Sequence, residues 1–258
     1  MAAINPEADL NAEIPVETLE RLRRCIDLLE GAYGLPRSRG SGPADLLVQT
    51  ILSQNTTSAN THRAFENLKK RYPDYQDLLD APDEEVAHQI RCGGLANIKT
   101  RRIKEALERI KERGEREERD GREEGDERDD MAGKTGTIDL DFLKDSDPEE
   151  ARDYLMTLPG VGPKTAAVVL LFAFNMPLLP VDTHVNRLSR RLGFVPEEAS
   201  LEEAERTLER ITPREKYCSF HVNLIRHGRA VCKARSPSCG DCVLAEICPY
   251  PDRAGQKG

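Results

Sequence analysis

Apolar residues recur at three- and four-residue intervals along most of this 258-residue chain. Residues 16–30 (VETLERLRRCIDLLE) place Leu19, Leu22, Ile26 and Leu29 on one stripe, with Gly31 after the last turn, a pattern that predicts an amphipathic helix. Similar patterns predict helices over 44–53 and 58–71, around the turn QNTT, and over 83–91, 97–112, 148–157, 164–174, 183–192, 201–210 and 215–230. No segment alternates with period two, so the predicted fold class is all-α. Residues 31–43 are rich in Gly, Pro and Ser and read as a loop. Residues 113–136 carry no apolar side chain except Met131 and Ala132, and read as a disordered or extended charged insert whose removal should leave the fold intact. The longest apolar run, Ala166 to Phe174, has nine residues, far short of the span of a bilayer.

Composition narrows this picture. Aromatics make up 5% and Trp is absent, so the core must be aliphatic. The net charge of −8 argues at first against a nucleic-acid partner. Residues 112–130 alone hold 11 acidic and 5 basic residues, a net of −6, which leaves −2 for the rest. Within that remainder, Lys99 to Lys111 holds six basic against two acidic residues, and Arg214 to Arg235 six against one. Two basic stretches on a near-neutral body are compatible with phosphate contacts. The opening stretch MAAINPEADLNAEIP has neither the basic start nor the apolar run of a signal peptide. A reducing cytoplasm is therefore the expected compartment, with Cys25, Cys92 and Cys218 as free thiols.

The other four of the seven cysteines, Cys232, Cys239, Cys242 and Cys248, follow the spacing C-x6-C-x2-C-x5-C. Four thiolates within 17 residues suit one compact inorganic centre, either zinc or a [4Fe–4S] cluster. The spacing differs from the paired C-x2-C knuckles of a zinc ribbon.

Chemistry of another kind lies upstream. In Leu158-Pro159-Gly160-Val161-Gly162-Pro163-Lys164-Thr165-Ala166, two glycines permit a tight hairpin with exposed amides, and Pro163 suits the first turn of a helix. Such a helix start can bind a backbone phosphate. Gly133-Lys134-Thr135 is no Walker A loop, because Arg128 occupies the earlier glycine position, and Pro163 breaks the same motif before Lys164. Eighteen residues after Lys164, Asp182 opens the segment Pro180-Val181-Asp182-Thr183-His184-Val185, where it can cap the next helix and hold an ionised carboxylate.

Taken in order, the GVGPKTA hairpin, the VDTHV segment and the cysteine tail resemble the endonuclease III family of DNA glycosylases and AP lyases, in the helix-hairpin-helix and Gly-Pro-Asp superfamily. The resemblance covers roughly residues 40–110 and 137–250. It implies a two-lobed fold: an N-terminal helix (1–41) joined to a cluster lobe (176–258), and a six-helix barrel lobe (42–175) bearing the hairpin and the charged insert. It also implies a [4Fe–4S] cluster on the four cysteines. Lys164 is then the nucleophile that displaces a damaged base and forms a Schiff base, followed by β-elimination, with Asp182 supporting it across the cleft between the lobes. The base must leave the stack, so other groups must fill the gap. The segment Ile51 to Thr57 resembles one gap-filling loop, with Asn55 at the family's glutamine position and Gln54 beside it. Gly93 to Asn97 resembles the second, with Leu95 as the intercalating residue. Gly160, Val161, Gly162, Thr165 and His184 complete the expected DNA-binding set, and Arg229, Lys233 and Arg235 are expected to offer cations to phosphates near the cluster. Where the family often has Asp, this chain has Ser58.

The implied activity is removal of oxidised pyrimidines from duplex DNA with cleavage at the abasic site, by a nucleoid-associated monomer without a membrane partner. Two other readings compete. Adenine or mismatched-thymine glycosylases of the same superfamily usually have Ser or Tyr at the position of Lys164. A non-catalytic DNA-binding or redox-sensing protein has no use for Lys164 together with Asp182.

Overall fold

The computed structural model describes residues 14–36, 41–120 and 138–250, apart from the side chains of 117–120. Eleven α-helices form among the described residues, and no strand. They are α1 (Val16–Tyr33), α2 (Pro43–Leu52), α3 (Ser58–Arg71), α4 (Tyr75–Asp80), α5 (Asp83–Gln89), α6 (Ala96–Asp120), α7 (Pro148–Met156), α8 (Pro163–Phe174), α9 (Thr183–Arg191), α10 (Leu201–Ile211) and α11 (Tyr217–Ala230). The all-α expectation holds.

The chain divides into two compact units, residues 1–38 with 179–258, and residues 39–178. In the second unit α8 is apolar on nearly every face, burying Thr165, Ala166, Ala167, Val169, Leu170 and Leu171. A helix apolar all round belongs inside a domain, and here α2 and α7 pack against it. Leu47, Ile51, Leu68, Leu107, Leu155 and Leu170 fill the shared core with no measurable exposure. In the first unit α1 packs on α11 through Leu22, Cys25, Ile26 and Leu29, and α9 packs on α11 as well. An ion pair fastens the α1 contact, with Lys216 Nζ donating to Glu30 Oε2 at 2.8 Å and Ser219 Oγ to Glu30 Oε1 at 2.6 Å.

Two sequence expectations need correction. The helix predicted to stop at 112 continues to Asp120, eight residues into the presumed insert. Arg113 explains why: its guanidinium lies 4.3 Å from the Phe142 ring centroid and 4.8 Å from that of Tyr154, so an apolar platform holds the helix where sequence shows only charge. Residues 121–136 of that insert lie outside the described residues. The basic stretch Lys99 to Lys111 is also largely spoken for. Lys99 is buried, Lys104 binds Asp83 and the Ala81 carbonyl, and Arg109 donates to the Thr157 carbonyl. The short α4 had no counterpart in the sequence pattern, since six residues are too few to show a period.

Candidate functional site

The hairpin of the second unit is held from below by aliphatic packing. Leu158 is 2% and Val161 7% exposed, so the turn presents main chain rather than these side chains. Gly160 has φ +80°, and a Cβ there would come within 2.7 Å of Arg102 Cδ. This position requires glycine. Gly162 does not: its φ is −104°, and a Cβ would meet nothing within 4 Å. The expectation that both glycines serve to close the turn is thus corrected to Gly160 alone. Gly162 caps α8, Pro163 follows without an N–H, and the amides of Lys164 and Thr165 open the helix. The Thr165 side chain is buried, so only its amide is available on this surface. Lys164 is half-buried, with no hydrogen-bond or ion-pair partner among the described residues of its own unit.

Two loops of the same unit carry the other expected DNA contacts. Gln54 is tied down at both ends of its amide. Its Nε2 donates to the Gly160 carbonyl at 2.8 Å, and its Oε1 accepts from Arg102 at 3.3 Å. Asn55 is exposed and adopts φ +54°. Leu95 is 50% exposed at φ +51°. A left-handed leucine is a genuine backbone outlier, and strain of this kind gathers at functional sites. Beside Leu95 lies a shallow depression of 570 Å³ lined in part by His88, Arg91 and Ile98.

Asp182 belongs to the first unit and caps α9. Its Oδ1 accepts from the His184 and Val185 amides, each at 2.8 Å, while Oδ2 takes neither bond. His184 has local employment: its Nδ1 lies 3.1 Å from the Arg187 guanidinium, and burial lowers its pKa. Arg187 also donates to the carbonyls of Gly228 at 3.1 Å and Cys232 at 2.9 Å. A Cβ on Gly228 would come within 2.8 Å of His184 Nδ1, so glycine permits this close approach of α11 and α9.

The four tail cysteines lie on a chain folded by two 3-10 turns, Cys239–Asp241 and Ala245–Ile247, around the buried Leu244. Burial pushes the Cys242 thiol up, and Cys232, Cys248 and Cys239 push it the same way, as neighbouring sulfurs must. Donors surround them. Arg191 NH1 is 3.1 Å from Cys232 Sγ and also reaches the Lys233 carbonyl. His227 Nε2 is 3.3 Å from Cys242 Sγ, and its Nδ1 is hydrogen-bonded to the Tyr33 hydroxyl at 2.9 Å. Such donors suit thiolates that carry negative charge on a metal centre. No three His, Cys, Asp or Glu side chains among the described residues stand close enough to share one metal ion. Four cysteine thiolates are what a [4Fe–4S] cubane requires, one on each iron. The donor set fits the cluster. The sequence did not reveal Arg191, His227 or Tyr33 in this role, because they come from three helices.

Thus a buried-helix hairpin bearing a lysine at its helix start and a four-thiol segment in a shell of donors occur in one all-α chain. They place it among helix-hairpin-helix proteins that carry an iron–sulfur segment. Residues 48–214 match the model of the HhH-GPD superfamily of base excision DNA repair proteins, and residues 232–248 that of the iron–sulfur binding domain of endonuclease III. The chain belongs to this superfamily, and within it to the endonuclease III type, DNA glycosylases with AP lyase activity and a [4Fe–4S] cluster. It is 35% identical over 242 residues to endonuclease III of Bacillus subtilis strain 168, covering 93% of this chain and 97% of that protein. Endonuclease III of Escherichia coli K12 is 32% identical over 213 residues, or 83% and 86% of the two chains. A solved non-covalent endonuclease III–DNA complex superposes with TM-score 0.71 at 31% identity, covering 92% and 98%. A thermostable thymine-DNA glycosylase, at TM-score 0.69 and 21% identity, shares the fold alone.

Proposed function

We propose that this enzyme acts as a monomer on duplex DNA, releasing oxidised pyrimidines and then cutting the strand at the abasic site. Lys164 carries the reading: it is an amine without a partner among the described residues of its unit, in the first turn of a helix opened by a glycine hairpin. The amine of Lys164 and the carboxylate of Asp182 divide the work. The neutral Lys164 amine attacks C1′, the bond from C1′ to the base breaks, and the base leaves with the electron pair. The nitrogen gives one proton to the departing base, the C1′–O4′ bond breaks with O4′ taking a proton from solvent, and the protonated imine so formed loses a C2′ proton as the C3′–O bond breaks with release of the phosphate. Asp182 has Oδ2 to spare after capping α9, which suits it to stabilise positive charge on the sugar.

Gly162 supports phosphate binding at the hairpin, since a side chain there would obstruct nothing within the protein and only an approaching backbone benefits from its absence. Of the two candidates for the emptied base position, Asn55 is the one that fits, because both ends of the Gln54 amide are engaged. Leu95 wedges the stack from the second loop. Cys232, Cys239, Cys242 and Cys248 hold the cluster, which supplies a rigid scaffold. The exposed Arg229, Lys233 and Arg235 beside it meet phosphates.

Borohydride trapping on a thymine glycol duplex tests the lysine. A covalent adduct is expected with the native chain and none with Lys164→Ala, and base release without an adduct would remove the lyase step. Base release from adenine or thymine mismatches, in preference to oxidised pyrimidines, would replace the substrate reading.

A further inference from the structure

Lys99 is the one fully buried Lys, Arg, Asp or Glu among the described residues, at 1% exposure. Burial pushes its pKa below the ordinary lysine range, and no carboxylate among the described residues pairs with it, so an ammonium there opposes folding unless its donors are well used. They are used on two main-chain carbonyls. Nζ donates to Leu52 O at 2.7 Å and to Gly93 O at 2.9 Å.

Both carbonyls sit at the ends of helical segments. Leu52 is the last residue of α2, and Gly93 the last of the 3-10 turn Arg91–Gly93. Terminal carbonyls lack intrahelical partners, and that of Leu52 also lies at the negative end of the α2 dipole, where a cation is favoured. Beyond each carbonyl the chain enters a left-handed residue within three positions, Asn55 at φ +54° after Leu52 and Leu95 at φ +51° after Gly93. One ammonium thus caps both segments that launch the two strained loops.

We infer that Lys99 is a positioning residue that clamps the two loops together, so that Asn55 and Leu95 enter the base stack as a coupled pair. This rests on the reading that both residues occupy the emptied base position. A simple hydrophobic replacement would pack the same space without joining the two carbonyls. The chemistry of the reaction stays with Lys164.

Hydrogen exchange on the DNA-free protein reads the clamp itself. Lys99→Met is expected to speed exchange at residues 53–56 and 93–95 together, by about tenfold or more, with α7 and α8 unchanged. Loosening of one loop only, or of neither, would overturn the clamp. Single-turnover base release then reads its use. Alone, Asn55→Ala, Leu95→Ala and Lys99→Met should each slow release by about tenfold, while in the Lys99→Met background the two loop changes should add less than about twofold. Losses that multiply instead would show independent loops and defeat the inference. Coupled exchange with silent Asn55→Ala and Leu95→Ala would leave the clamp intact but remove the reading of the loops on which its function rests. Should Lys99→Met not fold, Lys99→Arg, which keeps the charge without the compact donor, is expected to loosen both loops to a smaller degree. Tight loops and full activity in that variant would refute the clamp.

Discussion

The hairpin at 158–165 and the cysteine segment at 232–250 are both short turns that display a reactive group, yet opposite forces hold them. The hairpin rests on Leu158, Val161 and the all-apolar α8, so the protein alone fixes its shape. In the cysteine segment Leu244 is the one fully buried apolar side chain, and most of the other ties are polar, among them Arg187 to the Cys232 carbonyl, Arg191 to Cys232 Sγ and His227 to Cys242 Sγ. Such a segment buries too little to offset its own chain entropy. On the proposed reading the inorganic centre supplies its stability, and catalysis falls to the turn that needs none.

The most severe test removes the centre. Cys242→Ser should abolish iron–sulfur absorbance and strip more than about 4 kcal/mol of local stability from residues 232–250, read by hydrogen exchange. Helices α2, α7 and α8 should keep their protection. If α8 opened along with the tail, the two regions would not be independently held and the contrast would fail.

Within the hairpin the two glycines should separate. Gly160→Ala forces a left-handed alanine against Arg102 and should cost about 1–3 kcal/mol in thermal unfolding. Gly162→Ala meets open space and should cost less than about 0.5 kcal/mol, while weakening binding to an abasic-analogue duplex. Equal losses of stability would mean that the turn, and not its ligand, demands both.

Much of this was legible beforehand, and the failures share a cause. Helix positions followed from three-and-four periodicity because each helix buries one stripe, and the cysteine spacing and hairpin were legible because their parts are contiguous. Lys99 looked like part of a phosphate-binding run because sequence shows charge and not burial; only the meeting of α2, the Arg91–Gly93 turn and α6 makes its two carbonyl bonds. Gln54 and Asn55 were indistinguishable for the same reason, since the Gly160 carbonyl that occupies Gln54 lies 106 residues away. Gly162 was misread in the other direction, as structurally required, because the one-letter pattern cannot separate a left-handed glycine from an extended one.

Asp182 allows the structural and chemical parts of one side chain to be split. Asp182→Ala removes the cap of α9 and should cost about 1 kcal/mol of stability, while Asp182→Ser keeps a capping oxygen and should cost only a few tenths. Both lose the carboxylate, so base release should fall together in the two variants. Activity retained in the serine variant would make Asp182 a cap and nothing more.

The smallest effect concerns where the protein stops and its charged insert starts. Arg113 faces Phe142 and Tyr154, whereas Arg116 is exposed three residues on. Arg113→Ala should therefore lower stability by about 0.5–1 kcal/mol, the ordinary worth of a cation over aromatic rings, and Arg116→Ala should change it by less than about 0.3 kcal/mol. Differential scanning calorimetry on the two variants reads this directly. Since Arg113 lies in the stretch that sequence alone assigns to the insert, a deletion of 113–136 should carry at least the penalty of Arg113→Ala. A deletion without that penalty would return the boundary to residue 112, and would show the aromatic platform to be packed well enough on its own.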